Sequence, residues 1–458
     1  MLGAEVEQME MVKPATRIAA TIRVPGDKSV AHRVLILAAL AEGDSMISGL
    51  PESEDVRATI ACLRSLGVKL SPVSSSLARG GGSGWGLRVS PAPSRGQSGW
   101  GFATPHGPLD CANSGTTMRL LAGLLAGSRV SATLDGDASL RRRPMARIIE
   151  PLRRMGAHID SRDGRAPLTV VGTPLQGRHH SLPVASAQVK SALLLAGLAA
   201  RGPTTVVEPV LTRDHTERLL TAMGADLRVD AGTVELRPSH RPLRAIDLAV
   251  PGDFSSAAFW MAAAALRPGW SITIDGVGLN RTRTAFLRIL EAMGAAVHVE
   301  LSQTDVEPRG TVRVTGRPLR AVELGAEDVA AAIDEIPLVL VLATQAEGTT
   351  SVAGAAELRV KESDRIAGMA AGLRRMGASV DERPDGIKVR GPATLQGATV
   401  ESNGDHRIAM ALAVAGLVAT GPTTVDDADC VAVSYPDFFT ALRTMSLPRS
   451  RGRAGWGP

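Results

Sequence analysis

The most regular pattern in the chain is an apolar run, rich in alanine and leucine, that ends at a glycine and is followed by alternating threonine and valine. It occurs six times, and the glycines are Gly43, Gly127, Gly202, Gly269, Gly348 and Gly421. A second pattern, Leu-x-x-Leu/Met-Gly, falls between these copies and ends at Gly67, Gly156, Gly224, Gly294 and Gly377, with a degenerate sixth copy at Ser446. Each series recurs about every 67 to 89 residues, which indicates a repeated folding module and not a short solenoid repeat.

The third copy shows the predicted elements of the module most clearly. Its run SAQVKSALLLAGLAARG is apolar on nearly every side, which predicts a buried helix, and the glycine at its end suits a left-handed cap. A strand (PTTVVEP), a one-sided helix (DHTERLLTAMG) and two strands (ADLRVD, GTVELRP) follow. Six such modules cannot close one compact core, so we predict two domains of three modules with a boundary near residues 250–252.

Two segments depart from the module. Residues 74–108 are rich in glycine, serine and proline and contain SGWG twice, and the tail PRSRGRAGWGP resembles them. This composition predicts an exposed insertion with a short hairpin, and a loose tail.

Composition narrows the class of protein. The 458 residues are 44% hydrophobic, and the apolar runs reach about 10 to 14 residues, below the roughly 18 to 20 that a membrane span needs. Three separated cysteines and no visible leader predict a cytoplasmic protein without disulfides. The net charge is +5, but aromatic residues are only 3% and the basic residues are scattered, which favours small anions over nucleic acid as partners.

The candidate chemistry lies before the apolar helices, where six clusters of small or polar residues stand. They are residues 25–29, 113–117, 186–188, 251–256, 334–335 and 403–407. Free N–H groups and the positive end of the helix dipole attract anions, but ordinary N-capping explains such residues equally well. Lys28 with Arg33, and Arg119 beside Gly115, add cations that a cap does not need. We therefore predict an anionic ligand.

Charged clusters also precede the second helices. Arg143 stands before Pro144, a residue favoured in the first helical turn, so we predict that Arg143 lies at a helix start. Lys361, Glu362 and Arg365 place two cations beside a carboxylate, a pattern that fits a surface ion pair as well as a site. The lone histidines have no metal-ligand spacing, and the chain has no Walker or dinucleotide motif, so no metal or nucleotide cofactor is predicted.

Seven segments together resemble one enzyme family: PGDKSVAHRVLILAALAEG, CANSGTTMRLLAGLLAG, RRRPMARIIEPLRRMGA, SAQVKSALLLAGLA, TRDHTERLL, LRVKESDRIAGMAAGLRRMGA and GDHRIAMALAVAGL. They are similar to the 3-phosphoshikimate 1-carboxyvinyltransferases, also called 5-enolpyruvylshikimate-3-phosphate synthases. The resemblance implies an α/β fold of two similar domains, each of three βαβαββ units. It places residues 22–250, including the insertion 74–108, in one domain and residues 1–21 with 251–458 in the other, with the active site in the cleft between them.

The resemblance also implies the reaction, which is transfer of the enolpyruvyl group of phosphoenolpyruvate to the 5-hydroxyl of 3-phosphoshikimate with release of phosphate. This step belongs to the shikimate pathway of aromatic amino-acid biosynthesis and needs no cofactor. By the family's motifs, 3-phosphoshikimate is held by Lys28, Ser29, Arg33, Ser186, Ala187, Gln188, Asp334 and Lys361. Phosphoenolpyruvate is held by Lys28, Gly115, Arg143, Gln188, Arg365 and Arg407. Asn113, Arg119 and Arg213 support the site.

The residue types suit this chemistry, because both substrates carry a phosphate and a carboxylate that arginine binds in bidentate fashion. The reaction needs a base for the hydroxyl and an acid for the methylene carbon. We assign the base to Asp334 and the acid to Glu362, with Lys28 as a second acid–base candidate. The implied partners are the two small substrates, with no nucleic acid or membrane, and the protein is expected to be a monomer and a target of glyphosate.

Two details modify the resemblance. Arg213 stands where many members have tyrosine, and Ala187 replaces the second serine of a Ser-Ser pair, as in the divergent class II subgroup. The related transferase acting on UDP-N-acetylglucosamine is disfavoured, because its catalytic cysteine has no counterpart in GDASLRRRPMAR. A basic nucleic-acid-binding module built on similar repeats is the alternative from another class, and steep salt dependence without phosphate release would support it.

Overall fold

The computed structural model describes residues 8–73, 85–92, 100–238, 241–304 and 306–446. The predicted loose tail lies outside these residues. Within the described ranges, no helix is both long and apolar enough to cross a membrane.

Within the described residues, the strands form six small sheets, one for each repeated module, and one separate two-stranded ladder. In each of the five four-stranded sheets, an edge strand pairs in parallel with the second strand, and the other two strands follow in antiparallel order. Across the first sheet, the strands are Asp247–Ala249, Ser45–Leu50, Trp85–Ser90 and Lys69–Val73. Across the second, they are Leu109–Asp110, Ser131–Asp135, Arg165–Val171 and His158–Arg162. Across the third, they are His179–Ser181, Thr204–Val207, Thr233–Arg237 and Asp226–Asp230.

The remaining three sheets repeat this arrangement in the second part of the chain. Their strands are Ala19–Ile22, Ser271–Gly278, Arg309–Thr315 and Ala296–Gln303; Glu323–Leu324, Gly348–Val352, Gly386–Gly391 and Ser379–Arg383; and the three strands Glu10–Val12, Thr423–Asp426 and Thr399–Glu401. A small ladder joins Ala41–Glu42 to Leu243–Arg244. Two N-terminal strands thus complete sheets of the second part, because each pairs with a strand that lies more than 240 residues later.

The first helix of each module is buried along its length. These helices are Lys28–Ala38, Gly115–Ala126, Ala187–Gly197, Phe254–Ala265, Ile336–Ala343 and His406–Gly416. Five begin at an aspartate or serine whose side chain accepts a backbone N–H of the first turn, and these caps are Asp27, Ser114, Ser186, Asp253 and Asp405. The continuous apolar residues therefore predicted the burial of these helices, and the polar clusters before them predicted their starts. The left-handed cap expected at the glycine of the third run is wrong, because that helix ends at Gly197 with Leu198 as a right-handed cap.

The second helix of each module buries one face. These helices are Glu54–Ser65, Ala146–Arg154, His215–Ala222, Ala285–Ala292, Arg365–Arg375 and Phe438–Ser446. Two short helices, Ala138–Arg142 and Ala326–Ala331, and two 3-10 turns, Ala356–Val360 and Ala428–Val433, complete the structure. The predicted helix start at Arg143 is wrong, because this residue follows Ala138–Arg142 and the next helix begins only at Ala146.

The apolar side chains form two hydrophobic clusters. One contains buried residues from Val30 to Val250, and the other contains Val12, Ile18 and Val24 together with residues 254–442. We call the parts of the chain around these clusters the first half and the second half. Each half contains three modules, as the repeat predicted, and the molecule has the two-domain α/β fold.

Part of the predicted insertion is a core strand. Trp85–Ser90 pairs on both edges, with Ser45–Leu50 and Lys69–Val73, and Leu87 and Val89 are fully buried. The expectation of an exposed segment over 74–108 is therefore wrong for this strand, because the glycine-rich flanks hid its alternating apolar pattern. The short hairpin expected within the same insertion stays a prediction, because residues 74–84 and 93–99 lie outside the described part.

The two halves are joined by two crossing segments that pair with each other. Gly26 and Gly252 form an antiparallel bridge, and the N–H groups of Asp27 and Asp253 donate to the carbonyls of the opposite segment at 2.7 Å. A Cβ at Gly26 would lie 1.9 Å from the Gly49 carbonyl oxygen, so only glycine fits there. This hinge brings the N-caps of two buried helices, one from each half, side by side.

Candidate active site

A cavity of about 330 Å³ lies between the two halves. Residues at the starts of all six buried helices line it, and these are Lys28, Ser29, Gly115, Thr116, Ala187, Gln188, Asp253, Asp334, Glu335, His406 and Arg407. The six modules therefore aim one end of each buried helix at a single cleft.

Most residues predicted for the site line this cavity. They are Lys28, Ser29, Arg33, Gly115, Arg119, Arg143, Ser186, Ala187, Gln188, Arg213, Asp334, Lys361, Glu362 and Arg407. The structure does not place Asn113 or Arg365 on the lining. The polar clusters serve as N-caps and also border the cavity, because aspartate and serine cap the helices while neighbouring cations face the cleft.

Arg33 is fixed by three hydrogen bonds on the wall of the first half. Its guanidinium donates to Thr216 Oγ1 at 2.9 Å, to the Ser29 carbonyl at 2.9 Å and to Ser191 Oγ at 3.1 Å. Burial and the nearby charge of Arg213 lower the pKa of Arg33 to about 10. The side chain is thus a preorganised cation at the cleft wall, and it stays charged at neutral pH.

A set of hydrogen-bonded side chains connects the starts of two helices of the first half. Arg119 Nη1 donates to Gln188 Oε1 at 2.6 Å, and Gln188 Nε2 donates to Thr116 Oγ1 at 2.8 Å. Arg143 Nη2 donates to Asn113 Oδ1, so Asn113 acts behind the lining by holding Arg143. These contacts fix the orientation of both guanidinium groups before any ligand binds.

Asp334 lies at the start of a buried helix of the second half and is surrounded by cations. It pairs with Arg213 of the first half, while Arg365 Nη1 and Arg407 Nη2 each lie 3.5 Å from its oxygens. Burial by itself raises the pKa of Asp334, but the charges of Arg407, Arg213, Lys361 and Arg365 outweigh burial and hold this pKa well below its usual value. Asp334 is therefore ionised and able to accept a proton.

Glu362 faces the cleft from the second half and contacts cations of both halves. Arg365 Nη2 donates to its Oε2 at 2.5 Å, and Arg143 Nη1 lies 3.6 Å from its Oε1. Burial opposes ionisation, but Arg365 and Arg143 together keep the pKa of Glu362 well below its usual value. Without ligand, this carboxyl is therefore ionised.

Arg365 lies deeper than the sequence suggested. Only 2% of it is exposed, and Nε donates to Asp405 Oδ2 at 2.8 Å behind Glu362 and Asp334. It contacts both carboxylates of the site and is not part of the cavity surface. The i,i+3 spacing from Glu362 correctly indicated this ion pair, but not its burial.

Other lining residues were not singled out from the sequence. Arg147 and Glu357 form a two-pronged ion pair between the halves, and Arg283 is a buried cation beside Asp334. Arg147 belongs to the segment RRRPMARIIEP, where its four-residue spacing from Arg143 was the available signal. Arg283 lies in an ordinary loop, and no local pattern marks it.

Taken together, the cavity combines many fixed cations with two ionised carboxylates. Such a site suits ligands with several negative charges and can move protons at a bound hydroxyl or carbon. In the part of the chain described here, no group of three or more histidine, cysteine or acidic side chains is placed to hold a metal ion.

Comparison with known proteins gives a consistent result. The model of the EPSP synthase (3-phosphoshikimate 1-carboxyvinyltransferase) family matches residues 12–442. The 3-phosphoshikimate 1-carboxyvinyltransferase of Gloeobacter violaceus is 51% identical over 436 residues, which are 94% of this chain and 97% of that protein. The same enzyme from Herpetosiphon aurantiacus is 48% identical over 94% of this chain and 97% of its own length.

Solved structures agree with this similarity. The structure of EPSP synthase from Acinetobacter baumannii superposes with a TM-score of 0.82 at 39% identity and covers 96% of this chain and 98% of that one. The enolpyruvyl transferase NikO from Streptomyces tendae has a TM-score of 0.76, with the same coverage, at 20% identity. At that identity the second match supports the fold alone.

Proposed function

The chain belongs to the EPSP synthase family and transfers the enolpyruvyl group of phosphoenolpyruvate to 3-phosphoshikimate, and on this premise we propose which residues carry out the reaction. The acceptor is the 5-hydroxyl, and phosphate is released. The proposal rests on one observation: cations from both halves surround Asp334 and Glu362 in a single cavity.

We assign 3-phosphoshikimate to the part of the cavity around the first and third modules. Its phosphate and carboxylate are held by Lys28, Ser29, Arg33, Ser186, Ala187, Gln188 and Lys361. Arg33 supports this assignment best, because its three protein hydrogen bonds fix the direction of its charge. Arg213 reaches Ser29 Oγ at 3.1 Å and thereby joins this group to Asp334, which receives the 5-hydroxyl.

Phosphoenolpyruvate is assigned to the neighbouring cations Lys28, Arg143, Arg365 and Arg407, with Gly115 and Gln188. Gly115 leaves room beside the guanidinium groups, since a Cβ there would lie 2.8 Å from Arg119 Nη1 and 3.3 Å from Arg143 Nη1. Arg119 and Asn113 support this side by holding Gln188 and Arg143. Direct contact by Arg365 requires its side chain to become more exposed than it is without ligand.

The proton transfers follow from the two carboxylates. Asp334 removes the proton of the 5-hydroxyl while the oxygen bonds to C2 of phosphoenolpyruvate, and Glu362 protonates C3 to give a methyl group. The bond between C2 and the phosphate oxygen then breaks, and Glu362, now ionised, takes a proton back from the C3 methyl group to restore the double bond. Cations beside the leaving phosphate stabilise its charge, and Lys28 is the second candidate for a proton carrier.

The low pKa of free Glu362 is compatible with the role of an acid. Arg143 and Arg365 hold this carboxyl ionised without ligand, and the same two guanidinium groups are assigned to phosphoenolpyruvate. An arriving dianion reduces their effect on Glu362 and adds a like charge, and both changes raise the pKa of Glu362. Substrate binding therefore favours the protonated form of Glu362, which takes its proton from solvent, and the addition step requires this form.

We further propose two domains, residues 22–250 and residues 1–21 with 251–458. The two hydrophobic clusters and the pairing of Glu10–Val12 and Ala19–Ile22 with later strands support this division. We also propose a monomer without nucleic-acid or membrane partners. A cytoplasmic location is proposed because Cys62, Cys111 and Cys430 are all free thiols, which suits a reducing compartment.

The assignment is tested by measuring the two substrates separately. Phosphate release must require both substrates, and calorimetry gives the Kd of 3-phosphoshikimate alone. We expect Arg33→Gln to weaken the binding of 3-phosphoshikimate. Arg143→Gln should raise the KM for phosphoenolpyruvate and leave the Kd of 3-phosphoshikimate near its parent value. Arg154→Gln, an exposed change on helix Ala146–Arg154, is the control. Equal effects of Arg33→Gln and Arg143→Gln on both substrates would contradict the assignment of the two substrates to separate parts of the cavity.

A further inference from the structure

Arg283 is a buried cation at the junction of the hinge and the active site. Only 4% of it is exposed, and it belongs to the loop between strand Ser271–Gly278 and helix Ala285–Ala292. The N–H of Gly278 donates to the Gly252 carbonyl at 2.8 Å, so the start of this loop is attached to the hinge. Asn280 in the same loop donates to Asp214 of the first half at 2.6 Å. The loop is thus anchored to both halves.

Four carboxyl groups surround the Arg283 guanidinium. Nη2 lies 4.0 Å from Asp27 Oδ2 and 3.9 Å from Asp253 Oδ1, which are the two hinge N-caps, and Nη1 lies 3.9 Å from Asp334 Oδ2. Nη2 also donates to Ser255 Oγ at 2.8 Å, and that hydroxyl donates to Glu335. One guanidinium therefore links the two hinge caps to Asp334 and its neighbour Glu335.

We propose that Arg283 is a positioning residue that holds Asp334 in its ionised, base-competent form while the substrates occupy the other cations. This inference rests on the proposed role of Asp334 as the base. Arg213, Lys361, Arg365 and Arg407 also face Asp334, but three of them are assigned to substrate anions and Arg213 borders the 3-phosphoshikimate side. The partners of Arg283 are protein carboxylates and a serine hydroxyl, so its charge stays beside Asp334 in the complex.

The electrostatics of the cluster support the same role. Burial and the charge of Asp253 raise the pKa of Asp27, with Arg283 and His215 opposing them, and burial also raises the pKa of Glu335, with Arg283 opposing it. Burial disfavours the charge of Arg283 itself, but Asp27, Glu335, Asp253 and Asp334 outweigh burial and raise its pKa above its usual value. Loss of this guanidinium would leave the four carboxyl groups to repel one another.

The sign of the expected effect follows from Coulomb's law. Removing a positive charge 3.9 Å away makes ionisation of Asp334 less favourable, so the pKa of Asp334 rises. The base is then protonated at a higher pH. We call the low-pH side of the kcat profile, where kcat falls as the base becomes protonated, the acid limb. In Arg283→Gln we expect the acid limb to move up by about one pH unit. The KM values for both substrates should stay near those of the parent.

Three comparisons separate this role from simple structural support. Arg281→Gln changes an exposed arginine of the same loop and must leave the acid limb in place. Arg283→Lys keeps the charge but loses the planar fork, so its limb should lie between those of the parent and Arg283→Gln. If Arg283→Gln does not fold, Arg283→Met replaces it, because it also removes the charge while keeping a long unbranched side chain, and it should move the limb in the same direction.

An acid limb that stays in place in folded Arg283→Gln overturns the inference, as does an equal shift in Arg283→Lys. For Arg283→Met, an unmoved limb has the same meaning. Asp334→Asn tests the premise separately: near-parent turnover with an intact acid limb refutes Asp334 as the base. Loss of turnover in Asp334→Asn with no shift in Arg283→Gln refutes only the role of Arg283.

Discussion

Arg147 and Glu357 face each other across the cleft, and the two nitrogens of the guanidinium lie 2.6 and 2.9 Å from the two carboxylate oxygens. The residues belong to different halves, on helix Ala146–Arg154 and the 3-10 turn Ala356–Val360. This pair therefore connects the walls of the active site directly, without passing through the hinge.

We predict that this ion pair favours the closed arrangement of the ligand-free protein. The two side chains are 39% and 29% exposed, so the pair contributes about 0.2–1 kcal/mol. Arg147→Gln should increase the radius of gyration measured by X-ray scattering without ligand, and both substrates should restore the parent value. Arg154→Gln is the control on the same helix. Equal dimensions of Arg147→Gln and parent without ligand would show that the pair does not hold the cleft closed.

The two carboxylates of the site give a second prediction. Asp334→Ala and Glu362→Ala should each lower kcat by about 10² to 10⁴, because each removes a proton-transfer group. Glu327→Ala, an exposed change near the cleft, should leave kcat unchanged. Steady-state phosphate release measures all three variants. Nearly full turnover of Glu362→Ala would transfer the role of acid to Lys28.

A third prediction concerns Gly115 and glyphosate, which we expect to compete with phosphoenolpyruvate. A methyl group at this position meets Arg119 and Arg143 at 2.8 and 3.3 Å from their Nη1 atoms, and both side chains must shift within the phosphoenolpyruvate side of the cavity. Because glyphosate is longer than phosphoenolpyruvate, Gly115→Ala should raise its inhibition constant more than it raises KM.

The glyphosate prediction is checked by competitive inhibition of parent and variant at several phosphoenolpyruvate concentrations. Gly107→Ala is the control, since an added Cβ there meets no atom within 4 Å. We expect the parent enzyme to be sensitive. A tolerant parent, or equal factors on KM and the inhibition constant, would mean that space beside Gly115 does not set the response.

A buried cluster in the third module gives a prediction about pH and stability. Lys190 Nζ lies 2.6 Å from both Glu208 Oε2 and Glu217 Oε1, so two carboxylates share one ammonium group. Burial raises the pKa of Glu217, although Lys190 opposes it. A carboxyl with a raised folded-state pKa contributes stability that is present at low pH and is lost as pH rises through that pKa.

Glu217→Gln removes this titration and keeps a side chain of nearly the same volume. The free energy of unfolding of the variant, relative to the parent, should therefore become more favourable between pH 5 and pH 8. Urea denaturation at both pH values measures the difference. Glu235→Gln, on a surface strand paired with Arg237, should show no such change with pH. A relative stability of Glu217→Gln that falls with pH would contradict the raised pKa.

Much of the architecture was determined by the sequence itself. The six apolar runs predicted the buried helices, because a helix buried on all sides must be apolar on all sides. Except at Gly127, the glycines after these runs did not mark the helix ends, which lie a few residues earlier at right-handed caps such as Ala39 and Leu198. Each of the polar clusters before these helices contributes residues to the lining of one cavity. The resemblance of the same segments to EPSP synthases supplied the reaction, and the family match agrees with it.

Other features depended on tertiary structure. Trp85–Ser90 is a strand only because Ser45–Leu50 and Lys69–Val73 pair with it, and its glycine-rich surroundings carry no local signal of that pairing. Arg143 lies after a helix and not before one. It is the C-cap of the short helix Ala138–Arg142, and its extended backbone ends that helix.

The ion pairs of the active site are the clearest case. Arg213 and Asp334 are 121 residues apart, and Arg147 and Glu357 are 210 apart, so no spacing along the chain relates them. The burial of Arg365 and the convergence of four carboxyl groups on Arg283 likewise arise from the contact of two halves. Sequence determines which side chains can be charged, but their pKa values depend on distances and burial that exist only after the chain has folded.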